Sequence, residues 1–131
     1  MVDAKIVREW IQKADEDLDF AVSIVDESPF YAQICFHFQQ AAEKYLKSVI
    51  IADELNFQKI HDLVALLKSC LKNRPDLAEL MPDCKLLNGF YIDTRYPVHW
   101  PSNYSKETAL EAMKAAEAIR DKIKAALSEV L

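Results

Sequence analysis

Apolar residues recur at intervals of three and four along most of the chain. Val7, Trp10, Ala14, Leu18, Ala21 and Val25 form one stripe, with Ile6, Ile11 and Val22 widening it. This spacing returns side chains to one face of an α-helix. A first helix is therefore predicted from Asp3, whose carboxylate can cap it, to residues 26–30, where Pro29 disfavours helical geometry at Ser28. A second helix is predicted from about Phe30 to Leu55, with Tyr31, Ile34, Cys35, Phe38, Ala42, Tyr45, Leu46, Val49 and Ile50 facing inward. Its β-branched stretch at 48–52 would suit a strand, but the helical stripe passes straight through it.

A third helix is predicted from about His61 to Lys72, burying Leu63, Leu66, Leu67, Cys70 and Leu71. Residues 73–83 carry two prolines and have room for one short helical turn. Pro82 suits a helix start, and Leu86, Leu87, Phe90, Tyr91 and Thr94 carry a fourth helix past Gly89. A glycine there costs about 1 kcal/mol against alanine, which close approach of a neighbouring helix would offset. Pro97 and Pro101 force an extended or turned segment. Ser105 caps the last helix, in which Ala109, Ala112, Met113, Ala116, Ile119, Ile123, Ala126, Leu127 and Val130 face inward.

The pattern predicts one all-α domain over residues 1–131, an antiparallel up-and-down bundle of four long helices plus a shorter one. Composition agrees. The chain holds one glycine, where average usage would give about nine, so tight turns are few.

One residue breaks the second helix's pattern. Phe36 lies off the apolar stripe, on the side that carries Gln39, Gln40, Glu43 and Lys47. It is either a singly exposed aromatic or, with Gln40, part of a partner-facing patch. Glu43 and Lys47 can pair at i,i+4, worth a few tenths of a kcal/mol on a solvated face.

The formal net charge of −5 excludes a broad nucleic-acid surface. No DNA binding is expected, and any nucleic-acid site must be a local cleft. Cys35, Cys70 and Cys84 are scattered, with no CxxC pair, and read as small buried hydrophobes of a reducing compartment. Cys35 and His37 stand two apart on a helix and point about 200° apart, so they cannot share an ion. No inward Glu-x-x-His pairs exist for a di-iron centre. Neither a metal nor a cofactor is expected. No signal-like run opens the chain and no window reaches membrane-spanning length, which predicts a cytoplasmic protein.

Candidate chemistry concentrates in "RYPVHW". A phosphate site wants a guanidinium for the anion and an imidazole for proton transfer, and Arg95 and His99 supply both. His61 is either a first-turn polar residue or faces a ligand cleft. Lys44 and Lys47 join Arg95 and His61 as candidate ligand-binding residues.

"WIQKADEDLDFA", "CFHFQQAAEKYLKSVI", "HDLVALL", "TRYP" and the alanine-rich last helix, in this order and spacing, resemble the HEPN domain family from about Trp10 onward. The resemblance implies a bundle of four or five helices, a homodimer, and a small nucleotidyltransferase encoded nearby, the two acting as toxin and antitoxin. Some members of the family are metal-independent ribonucleases that carry an Arg followed by a His. Here three residues separate Arg95 from His99, fewer than in that branch, and His99 lies beyond the matched "TRYP" block. Ile60 precedes His61 where the family usually has Thr. In a ribonuclease, an RNA 2′-hydroxyl would attack the adjacent phosphate, His99 would move the proton and Arg95 would stabilise the phosphorane. Three functions follow as expectations: a nucleotide- or RNA-phosphate-binding partner of a minimal nucleotidyltransferase, a ribonuclease toxin, or a purely structural interaction module.

Overall fold

The computed structural model describes residues 3–93 and 104–131, and of 92 and 93 the backbone alone. The all-α bundle is observed. Its helices are α1 (Ala4–Ile24), α2 (Tyr31–Ala52), α3 (Leu63–Leu71), α4 (Met81–Asn88), α5 (Phe90–Asp93) and α6 (Lys106–Ala126), with short 3₁₀ helices at Pro75–Leu80 and Ser128–Val130.

Local chemistry sets the helix ends. Asp3 accepts from the Lys5 amide at 2.9 Å to start α1, and Ser105 Oγ accepts from the Thr108 amide at 3.2 Å to start α6. α3 begins at Leu63, slightly later than the expected start at His61. Asp62 is the cap, accepting from the Val64 and Ala65 amides at 3.0 and 3.2 Å, because a carboxylate satisfies first-turn N–H groups better than an imidazole does. The expected fourth helix breaks at Gly89, which closes α4 with φ −71° and ψ −20°. A full 3₁₀ helix at Pro75–Leu80 replaces the expected single turn.

α2 ends in a left-handed turn. Glu54 has φ 54°, its amide bonds Ile51 O, and the Leu55 amide reaches Ile50 O at 2.9 Å. This is the hydrogen-bond pattern of a Schellman cap built without its usual glycine. It turns the chain back along α2 through residues 53–62. The contacts then ascend together: His61 meets Glu43, Cys70 meets Leu46 and Arg74 meets Asp53. α3 therefore runs alongside α2 in the same direction. α1 is antiparallel to both α2 and α6, since Asp15 meets Tyr45 and Lys124 while Arg8 meets Val130.

α2 packs against α1, α3, α4, α5 and α6. A helix surrounded in this way buries its polar side as well as its apolar stripe. Phe38, Tyr45, Leu46 and Ile50 are fully buried, and so is Gln39, while Glu43 and Lys47 each keep 5% exposure. The face read as polar from sequence is thus an interior one. Ile6 and Val22, expected to widen the α1 stripe, are instead exposed.

At the far end, Arg74 clamps two helix ends. Its guanidinium donates to both Asp53 oxygens at 2.7 and 2.8 Å and to Ala126 O at 2.9 Å. Cys35, Cys70 and Cys84 are free and buried, and burial pushes each thiol up to about 12. No helix among the described residues is long and apolar enough to cross a membrane.

Candidate phosphate-ligand site

The buried polar row of α2 converges on the start of α3. Glu43 uses both carboxylate oxygens. Oε2 accepts from Lys47 Nζ at 2.9 Å, and Oε1 lies 2.9 Å from His61 Nδ1. The Glu43 and Lys47 side chains are each 7% exposed, whereas that of His61 is 46% exposed. A charged pair is therefore sealed beneath a half-exposed imidazole. Lys47 is covered by Phe57 of the return segment, whose ring centroid lies 5.6 Å from Nζ, and Trp10 packs against the same ring at 5.6 Å.

His61 is held on several sides. Its ring stacks on Tyr91 of α5 with centroids 4.0 Å apart and planes inclined by 15°. Its backbone carbonyl accepts from Gln39 Nε2 at 3.2 Å, and Gln39 Oε1 in turn accepts from Gln40 Nε2 at 2.8 Å. Asn88 bonds both the Leu63 amide and Asp62 Oδ1, fixing the backbone beyond the ring. Phe36 packs near Tyr91 at 6.0 Å and against His37 at 5.8 Å. It therefore has neighbours within its own chain on the side where sequence left it among polar residues.

Of the candidate residues read from sequence, the fold brings Lys47 and His61 together through Glu43, with Gln40 and Phe36 beside them. Lys44 turns toward α1 instead, where it pairs with Asp17, whose other oxygen lies 3.5 Å from His37. Arg95 and His99 lie outside the described residues; Arg95 follows Tyr91 by four positions. Sequence reasoning did not single out Glu43, Gln39 or Tyr91 as site residues. The available signal was Phe36 itself, since a large aromatic beside an i,i+4 ion pair marks a covered face. Among the described residues, no group of three or more His, Cys, Asp or Glu side chains is placed to hold a metal ion.

The family model of the HEPN domain matches residues 7–126. The chain belongs to the HEPN family. It is 27% identical over 139 residues to "Putative toxin MJ1304" of Methanocaldococcus jannaschii, covering 95% of this chain and 90% of that protein. Among solved structures, TT1696 from Thermus thermophilus matches with a TM-score of 0.82 at 29% identity, over 95% of this chain and 98% of that one. ST0689, an archaeal HEPN homologue, matches with a TM-score of 0.73 at 25% identity and the same coverage. These matches span the whole bundle, so the α2–α3 junction that carries Glu43 and His61 sits within the shared fold.

Proposed function

We propose that this HEPN protein is the toxin-type member of a toxin–antitoxin pair. In this reading it binds a phosphate-bearing ligand, a nucleotide or RNA, through His61 and Arg95. The observation that carries the proposal is the pinned His61 ring. It is a half-exposed imidazole fixed by a buried carboxylate and a stacked tyrosine, and that tyrosine lies four positions before a guanidinium in the chain. Guanidinium groups match phosphate with a two-pronged fork, and the −5 charge of the chain leaves a local cleft as the way to hold an anion. The toxin role is supported by the relative from Methanocaldococcus jannaschii. A small nucleotidyltransferase as the partner, a homodimer with Phe36 and Gln40 at its interface, and ligand contacts by Lys44 and Lys47 belong to the same reading.

The test is titration of wild type, Arg95→Ala and His61→Ala with nucleotides and short RNA. Loss of binding with Arg95→Ala is the expected result. Equal binding by wild type and Arg95→Ala ends the reading.

A second reading is a metal-independent ribonuclease. The His61–Glu43 pair favours it, because an imidazole oriented by a carboxylate is a common proton-transfer unit. Cleavage of RNA in EDTA, abolished by His99→Ala or His61→Ala, would place this reading first.

A further inference from the structure

A surface cavity opens between α1 and α6. Arg8, Ile11, Gln12 and Asp15 recur at three and four along α1 and so share one face. Lys124 of α6 and Leu131, just beyond the last 3₁₀ helix, close the other side. The cavity they line measures about 370 Å³. It lies on another side of the bundle from His61. Tyr45, which reaches Asp15 at the edge of the cavity, stands two positions after Glu43 on α2, and two positions turn a helix by about 200°.

Charge in this cavity is unevenly spent. Both Asp15 oxygens are engaged: Oδ1 accepts from the Tyr45 hydroxyl at 2.5 Å, and Oδ2 from Lys124 Nζ at 2.9 Å. Burial and the Asp15 bond raise the Tyr45 hydroxyl above its usual range, so it keeps its proton and remains a donor. Asp15 and Lys124 therefore cancel as a pair. Arg8 has no such partner. Its guanidinium donates to Val130 O at 3.2 Å and pairs with no carboxylate among the described residues. A guanidinium carries five N–H groups in a planar fork, so most of its donors remain unspent. The Gln12 amide, one turn further along α1, adds two more. Ile11 and Leu131 supply apolar surface beside these donors.

This arrangement suits a ligand with a charged head and an apolar body. One unbalanced positive charge matches one negative charge, which favours a carboxylate over a doubly charged phosphate. A carboxylate also fits the guanidinium fork. At roughly 30 Å³ per non-hydrogen atom, the share of one water in the liquid, the cavity holds about ten to twelve such atoms. That is the size of a medium-chain carboxylic acid, and the volume lies within the range of small-molecule sites.

We infer that the α1–α6 cavity is a binding site for a small amphipathic carboxylate, with Arg8 and Gln12 at the head and Ile11 and Leu131 along the body. The inference is independent of the phosphate-ligand reading. The experiment titrates the full chain with sodium octanoate, well below micelle formation, and follows backbone ¹H–¹⁵N shifts. Acetate, octanol and inorganic phosphate are titrated for comparison. The proteins are wild type, Arg8→Ala, Arg8→Lys and Leu131→Ser, with circular dichroism to confirm folding. Arg8 and Leu131 are both exposed, so the bundle does not depend on them.

Octanoate should shift the amides of Arg8, Gln12, Lys124 and Leu131 saturably. Arg8→Ala should weaken binding by roughly tenfold or more, the range for a lost hydrogen bond to a charged group. Arg8→Lys should recover only part, because lysine lacks the fork. Leu131→Ser should weaken binding by about threefold through lost apolar contact. That variant keeps the Arg8 bond to Val130 O, so losses in both variants point to the ligand and not to a loosened chain segment. No binding of octanoate by wild type overturns the inference, as do shifts centred on other residues or an affinity unchanged in Arg8→Ala. Octanol binding as tightly as octanoate shows an apolar patch without an anion site, and acetate binding as tightly shows an adventitious ion only. Either result overturns it too. Phosphate binding more tightly than octanoate overturns the carboxylate class. None of these outcomes bears on His61, which the nucleotide titration decides.

Discussion

Glu43 Oε1 lies 2.9 Å from Nδ1 of His61, across eighteen residues of sequence, and ties α2 to the segment that leads into α3. Around this contact a buried ion pair, an aromatic stack and the cap of α3 come together. Removing the carboxylate would leave Lys47, 7% exposed, as an uncompensated buried charge. Breaking a buried pair from one side costs about 3–5 kcal/mol. Glu43→Ala should therefore lower stability by that amount in urea unfolding, and Glu43→Ala with Lys47→Met should recover most of it. A loss below about 1 kcal/mol for Glu43→Ala would show that Lys47 reaches solvent.

Arg74 joins the C-terminal ends of α2 and α6 through a two-pronged contact with Asp53 and one bond to Ala126 O. Lysine carries the charge but cannot make all three bonds in this geometry. Arg74→Lys should lower stability by about 1–3 kcal/mol, the range for lost hydrogen bonds to charged groups. Unfolding curves for Arg74→Lys and Asp53→Asn, singly and combined, should show coupling between the two sites. Additive effects would mean that the clamp contributes nothing as a pair.

Gly89 has right-handed helical angles at the junction of α4 and α5. Alanine adopts those angles without strain and reduces the freedom of the unfolded chain. Gly89→Ala should raise stability by about 0.4–1 kcal/mol. A drop in melting temperature would point instead to a backbone contact that leaves no room for a methyl group.

The three buried thiols give a pH signature. An ordinary thiol here titrates at 9.0, and burial raises each to about 12 in the folded chain. Tyr45 is also raised above its usual 10.0, by burial and by its hydrogen bond to Asp15. Groups with raised folded values hold their protons longer in the folded state than in the unfolded one. Their contribution is intact below about pH 9 and is lost as pH rises toward 12. Stability should therefore fall steeply above pH 9, and more gently in a variant with all three cysteines replaced by alanine or valine. At pH 8, a thiol reagent should label none of the three until denaturant is added. Rapid native labelling of any one would contradict the burial.

Much of the fold is legible from local pattern. The stripes of α1, α2 and α6, and the caps Asp3 and Ser105, depend on residues within one or two helical turns of each other. The helical fate of 48–52 was also readable, because the apolar period overrides β-branched propensity there. Other features were not readable locally. Val22 and Ile6 fit the helical period yet face solvent, since periodicity states which residues share a face but not how wide the neighbouring helix is. Asp62 takes the cap beside His61, which leaves the imidazole to meet Glu43.

The candidate site shows the same division. Residue types alone marked His61 and Lys47 as candidates to meet a phosphate-bearing ligand; Arg95 and His99, marked as a candidate anion-binding and proton-transferring pair, lie outside the described residues. Glu43, Gln39 and Tyr91 emerge only when α2 is enclosed by five other helices and the 53–62 segment folds back beneath α3. Helix periodicity and capping are set by neighbours three or four residues away, so the amino-acid order suffices to determine them. Whether a polar helix face meets water or another helix depends on contacts between residues far apart in the chain. The left-handed turn at Glu54 sends the chain back over that face, and it converts an i,i+4 pair worth a few tenths of a kcal/mol in water into a sealed pair that holds His61 in place.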